Sequence, residues 1–413
     1  MTAISPSSPW TIFRQRDFTW FLGSRFSGSV AQQITDVAVG WLVYDLTGSA
    51  LALGLVGLAA FLPVISLVLV TGHAADRVDR RLIMLACYGL NAVIAFGLAA
   101  FAFMKPPVIW PIYALVVLMG VSRAFYQPAS QAFLPNLVPR ELFGRAIAWG
   151  SSIFQVAVIT GPAIGGLLYV AGSEVALAGA GLLFACAAIC MAAVRLRAEK
   201  VPPPKVDWAT LIAGLTFIRA KPVILGAVTL DLFGVLLGGA TALLPIYAAT
   251  ILSIGPVGLG LLRSAPAVGA AAMALLLAYR PLARRAGYRM FTAVMIFGLA
   301  TIVFGLSTNF FLSLGALTVL GAADMISVFV RQTLVQADTP DAMRGRVAAV
   351  NTVFIGASNQ LGEFESGTLA AFIGVVPAVV VGGAGTILIA LLWTRVFPAL
   401  LHRDRLIEDM RPD

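Results

Sequence analysis

Twelve apolar stretches long enough to cross a bilayer follow one another along this chain, at 18–46, 51–72, 82–104, 109–132, 146–170, 174–194, 222–252, 256–279, 289–308, 310–335, 346–372 and 376–397. A helix needs about 20 such residues to span the hydrocarbon. Lipid offers backbone N–H and C=O groups no partner, so a chain with this pattern closes its hydrogen bonds inside helices. The expected fold class is all-α integral membrane with twelve transmembrane helices. Composition agrees, at 60% hydrophobic, 11% charged and a mean hydropathy of +0.94. Several stretches exceed 20 residues, which implies tilt or extension past the bilayer.

An even number of spans leaves both termini on one side. The segments on that side hold 23 of the 28 Lys and Arg residues, from Arg14 and Arg16 to Arg411; the opposite side holds Lys105 alone. That asymmetry predicts cytoplasmic termini. It also accounts for the net charge of +9 without a nucleic-acid partner. The N-terminal lead MTAISPSSPWTIFRQRDF lacks the apolar core of a signal peptide, so it is expected to be a cytoplasmic end. Cys87, Cys186 and Cys190 all fall in apolar helices and read as small buried hydrophobes rather than a disulfide framework.

One connection is substantial, 195–221. Its Pro202-Pro203-Pro204 run suits a stiff linker. Trp208, Leu211, Ile212, Leu215 and Ile218 then recur at helical spacing, with Asp207 as a plausible N-cap. The expected organisation is a six-helix half at 1–194, this linker with an amphipathic helix at 195–221, a second half at 222–400 and a tail at 401–413. The halves carry a repeat. QAFLPNLVPRELFGRAIAW (131–149) lies over QTLVQADTPDAMRGRVAAV (332–350) at an offset of 201, matching Gln131 with Gln332, Pro139 with Pro340, Gly144 with Gly345 and Arg145 with Arg346.

Intramembrane charge costs about 2.5–3.5 kcal/mol per residue on insertion scales, so it marks helix faces that meet protein or water. Arg25 and Asp36 fall in span one, Arg123 in four, Asp231 in seven, Arg263 in eight, Asp324 and Arg331 in ten, Glu363 and Glu365 in eleven. Spans three, six, nine and twelve carry none away from their ends and read as lipid-facing scaffold. Glu363 and Glu365 stand about 200° apart on a helix, so they cannot share a face. Gln360, Glu363 and Gly367 form one stripe, and Glu365 looks elsewhere, as a structural carboxylate.

The loop GHAADRVDRR (72–81) resembles the G-x-x-x-D-R-x-x-R-R signature of the major facilitator superfamily, and span count, halves and linker extend the resemblance over essentially the whole chain. The resemblance implies two pseudo-symmetric six-helix halves and a cytoplasmic latch formed by Gly72, Asp76, Arg77, Arg80 and Arg81. Asp76 would sit at the positive N-terminus of span eleven, and the arginines would pair acidic groups across the halves. The second-half counterpart, AYRPLARRAG, lacks the aspartate. GPAIGG (161–166) looks like the G-P-x-x-G-G core of the antiporter and exporter branches. It implies inter-half packing through Gly161, Pro162, Gly165 and Gly166, with small residues permitting close sliding. The 201 offset places Glu363 in the slot of Pro162. Arg123 in GVSRAFYQPA resembles the superfamily's span-four R-x-x-Q-G motif, although Gln127 comes one position late. GWLVYDLTGSA, RAFYQPA, LPNLVPRELFGRA and MRGRVAAVN are most similar to the enterobactin-exporter-like branch.

The expected function is secondary transport by alternating access, as proton-coupled export of a small organic molecule such as a drug or siderophore. Proton coupling requires a carboxylate that exchanges protons with each side. Asp36, Asp231, Asp324 and Glu363 are the candidates, and Arg123, Arg263 and Arg331 are cationic partners. Asp324 is expected to face a central cavity together with Asp36. Uptake or facilitated diffusion without a proton is the alternative. A membrane enzyme or a non-transporting sensor is remote. The only histidines, His73 and His402, lie in a loop and the tail, and no P-loop occurs. No cofactor and no metal are expected; the partners are a small-molecule substrate, protons and the lipid bilayer, with the monomer as the working unit.

Overall fold

The computed structural model describes residues 9–67, 70–71, 77–105, 108–195, 208–280, 282 and 284–406. They are helical nearly throughout: α1 (Arg16–Thr47), α2 (Ala50–Ser66), α3 (Arg80–Met104), α4 (Trp110–Phe133), α5 (Phe143–Val170), α6 (Ser173–Ala193), α7 (Trp208–Ala220), α8 (Pro222–Leu237), α9 (Gly255–Tyr279), α10 (Ala286–Leu306), α11 (Phe310–Ala337), α12 (Asp341–Ile373) and α13 (Val375–Val396). The ends follow local chemistry. Asp79 caps α3 by accepting from the Arg81 N–H, and Asn309 caps α11 by accepting from the Phe311 and Leu312 N–H groups. Pro111, Pro222 and Pro256 stand in first turns, where no backbone donor is needed.

Among the described residues, eight helices are long and apolar enough to cross a membrane on those grounds alone. The other four spans are α1, α2, α4 and α12. α2 has only 17 residues, while α1, α4 and α12 exchange apolar positions for Arg25, Asp36, Arg123, Glu363, Glu365 and several amides. Span seven, expected over 222–252, runs over Pro222–Ile251, with regular helix to Leu237 followed by a 3₁₀ turn (Ala240–Leu243) and a π turn (Tyr247–Ile251). Gly238 and Gly239 weaken the helix there. A Cβ on Gly239 would also stand 2.6 Å from the Gly362 carbonyl of α12.

The chain forms two compact units: residues 1–42 with 62–205, and residues 43–61 with 206–413. In the first unit α3 packs along α6 and α4; in the second, α10 packs along α13 and α11. Those are the same pairs six spans on. The first unit carries the ring contacts Phe21–Phe133 and Tyr88–Tyr126. The second is centred on Leu230, Met290, Phe291, Val294, Val330 and Leu334, from α8, α10 and α11. The linker helix α7 belongs to the second unit. Its Ile218 is buried against Val347 and Val350 of α12 with Leu215 beside it, and Gly214 approaches the Arg346 carbonyl. Ile212, expected on the same apolar stripe, is 59% exposed instead. Asp207 lies outside the described residues. Cys186 is also exposed, against expectation, while Cys87 is buried.

Candidate functional site

The densest intramembrane charge sits in the second unit. Asp324, Ser327 and Arg331 follow at i, i+3 and i+7 on α11, a spacing that puts them on one helix face. α8 brings Asp231 to the same place, and an Arg331 Nη lies 3.3 Å from Asp231 Oδ2, with side chains only 2% and 8% exposed. The other Nη donates to Asn351 Oδ1 of α12 at 2.8 Å. Arg331 is among the largest fully buried side chains of the protein. Its Nε and the Ser327 hydroxyl are buried without a hydrogen-bond partner among the described residues. Asp231, Asp324 and Ser327 line a cavity of ≈ 10 Å³ together with Val294 and Phe297 of α10. That is the lower limit for one water molecule.

The charge count decides what this cluster can do. Asp231 holds the one guanidinium, and Asp324 lines the same cavity. With both aspartates ionised the site carries one uncompensated negative charge, which is costly away from water. A proton or a cation removes it. The cluster unites three of the candidates, Asp231, Asp324 and Arg331. Asp36 belongs to the first unit, where its Oδ1 accepts from Gln32 Nε2 at 2.9 Å. Asn351 and Ser327 were not legible as partners. Ser327 had a signal in its spacing to Asp324 and Arg331; Asn351 had none.

Glu363 lies at a second site. A Cβ built on Gly57 of α2 would stand 2.9 Å from both Glu363 Cβ and Glu363 Oε2, and a Cβ on Gly367 would stand 2.7 Å from the Gly54 Cα. Gln360, Glu363 and Gly367 therefore face α2, where only glycines make room. The neighbouring face of α12, Gly362 and Ser366, packs on Leu236 and Gly239 instead. Glu365 accepts from the Ser366 hydroxyl at 3.4 Å.

The first unit places the remaining candidates. On α5, Gly161, Pro162, Gly165 and Gly166 are all buried. A Cβ on Gly161 would meet Gln33 Cβ at 2.6 Å, and one on Gly165 the Ile34 Cα at 3.1 Å. The close approach of these two glycines is thus to α1 within the unit. At the 201 offset they fall on Gly362 and Ser366, which pack on α8, the counterpart of α1. Arg80 and Arg81 also act locally. Arg80 donates to the Ala132 carbonyl at 3.0 Å, and Arg81 to those of Ala192 and Met191 at 2.6 and 3.4 Å. They occupy the negative C-terminal ends of α4 and α6. Arg77 is exposed. Gly72 and Asp76 lie outside the described residues. Arg123 is exposed on α4, and Arg263 is half-buried on α9.

These features define a polytopic major facilitator transporter rather than an enzyme. Solved structures agree on the fold. A bacterial homologue of the human lysosomal transporter Spinster, inward-facing and occupied, matches with a TM-score of 0.73 at 13% identity over 95% of this chain and 99% of its own. The nucleoside transporter NupG matches at 0.68 and 13%, over 92% and 99%. The model of the transmembrane secretion effector family covers residues 7–405, and the chain belongs to that family. Among curated relatives, the enterobactin exporter EntS of Escherichia coli (strain K12) is 28% identical over 392 residues, 92% of this chain and 91% of that protein. EntS of Citrobacter koseri is 29% identical over 360 residues, 85% and 81%.

Proposed function

We propose that the protein is a proton-coupled exporter of small organic molecules, drugs or siderophores among them. It works by alternating access as a monomer in the bacterial inner membrane, with both termini cytoplasmic. The observation that carries this reading is the buried Arg331–Asp231 pair with a second carboxylate, Asp324, lining the same cavity. A proton on the pair would balance the charge, and its release would unbalance it, so the cluster favours different surroundings in its two protonation states. The groups facing Asp324 are Asp231 from α8, Arg331 from its own helix, and the apolar Val294 and Phe297 from α10. Glu363, held against Gly57, is a second carboxylate able to exchange a proton, while Glu365 serves the fold. The direction of transport rests on relatives named as enterobactin exporters. Orientation rests on the one-sided distribution of Lys and Arg. Gly72, Asp76, Arg77, Arg80 and Arg81 form the cytoplasmic closure, which Asp76→Asn would weaken.

The test is reconstitution into proteoliposomes with an imposed pH gradient and enterobactin as the first probe. The unsubstituted protein is expected to concentrate it. Asp324→Asn is expected to abolish accumulation but keep exchange at equilibrium. Equilibration without accumulation by the unsubstituted protein would replace this reading with a carrier lacking proton coupling. Accumulation by Asp324→Asn would move the proton site elsewhere.

A further inference from the structure

The intramembrane charge of the first unit has the opposite sign to that of the second. Its spans hold Arg25 and Arg123 against one carboxylate, Asp36, which is engaged by Gln32. Among the described residues neither arginine makes an ion pair. A guanidinium at that depth marks a helix face that meets protein or water rather than lipid. The surroundings of Arg25 are built. The Arg25 guanidinium lies 5.9 Å from the Phe21 ring centroid, and a Cβ on Gly150 would stand 3.4 Å from its Nη1. One turn beyond Arg25, Gly28 has no room for a Cβ against the Tyr88 ring. One turn beyond Arg123 stands Tyr126, whose hydroxyl is 2.8 Å from that of Tyr88. Tyr88 thus links the two arginine-bearing helices, packing its ring on Gly28 of α1 and its hydroxyl on Tyr126 of α4.

We propose that Arg25 and Arg123, with the Tyr88–Tyr126 hydroxyl pair between them, bind the anionic group of the transported molecule. The substrate class is then an organic oxyanion, carboxylate or phenolate, on an aromatic or other apolar body. A guanidinium presents a fixed fork of donors that matches an oxyanion and stacks on aromatic faces. The half-buried Tyr126 supplies such a face beside Arg123. The proposal rests on the transporter reading but not on its proton coupling.

The test is titration calorimetry on the full chain in lipid nanodiscs, without any gradient. The probes are salicylate, its neutral counterpart salicylamide and the cation tetraphenylphosphonium. Salicylate is expected to bind about tenfold tighter than salicylamide, the order of one charge-assisted hydrogen bond. Arg25→Gln and Arg123→Gln should each weaken salicylate about tenfold and leave salicylamide unchanged, while Arg123→Lys keeps part of the affinity. Arg123 is exposed, so its replacement spares the fold and carries the test even if Arg25→Gln does not fold. The proposal is overturned by no salicylate binding to the unsubstituted chain, by equal affinity for salicylamide, by unchanged affinity in Arg123→Gln, or by preference for tetraphenylphosphonium. Failed pH-driven transport would leave a positive titration standing.

Discussion

Removing Arg331 and removing Asp231 should have unequal consequences, although the two form one ion pair. Arg331→Met leaves Asp231 and Asp324 together in a buried site with no cation. Breaking a buried pair by deleting one partner costs about 3–5 kcal/mol. Asp231→Asn instead leaves Arg331 with Asp324 as a substitute partner and Asn351 still accepting from its other Nη. Its cost falls to about one hydrogen bond to a charged group, roughly 1.5–3 kcal/mol or less. For a cooperative unit of roughly two hundred residues, each kcal/mol is about 2–4 °C in Tm. Arg331→Met should therefore lower Tm by about 6–20 °C, and Asp231→Asn by at most about half as much. Thermal unfolding of purified variants in one detergent reads the difference. The double variant Asp231→Leu with Arg331→Met should recover most of the loss, because an apolar pair of similar volume avoids burying charge. Equal losses in the two single variants, or negligible losses in both, would refute the idea that the three charges form one balance.

Glu363→Gln should end pH-driven accumulation in proteoliposomes while permitting exchange, whereas Glu365→Gln should chiefly lower expression or Tm. Accumulation by Glu363→Gln would make that residue structural. Gly367→Ala drives a Cβ to 2.7 Å from the Gly54 Cα; it should cost about 1–3 kcal/mol, read as a lower Tm. Gly89→Ala, where a Cβ meets nothing within 4 Å, should be neutral or stabilise by up to about 1 kcal/mol. Arg81→Ala, which uncaps the end of α6, should cost about 1 kcal/mol, while Arg77→Ala at an exposed position should leave Tm unchanged.

Span positions are legible in the sequence because apolar run length is a one-dimensional signal, and it places α3, α4, α6 and α9 to within about two residues. The break in span seven is legible only in part: Gly238-Gly239 marks a weak point, but the approach of Gly239 to Gly362, more than a hundred residues away, has no signature in the sequence. The same holds for the site. Asp231, Asp324 and Arg331 each announce themselves by their cost in an apolar helix, but a single sequence does not say which pairs with which. Asn351 costs little in a helix and so gives no warning of its part. The 72–81 motif marks Arg80 and Arg81 as functional in kind but does not name their acceptors, which are backbone carbonyls and have no sequence signature.

Gly161 and Gly165 rest on α1 as Gly362 and Ser366 rest on α8, and this likeness works as a ruler for the history of the chain. Adding 201 carries Gly54 and Gly57 to Gly255 and Gly258, so a pair of glycines survives in both copies. The same step carries Arg123 to Asp324, reversing the charge at one slot. The two copies thus kept the small residues that let helices touch and parted company over electrostatics, one retaining a cation where the other has an anion. An ancestral duplicate with identical halves would have offered matching charges at both slots. Dissimilar halves can divide the labour, one holding a molecule and the other a proton. In a reconstructed symmetric ancestor, the residue at 123 and 324 would be the first to restore.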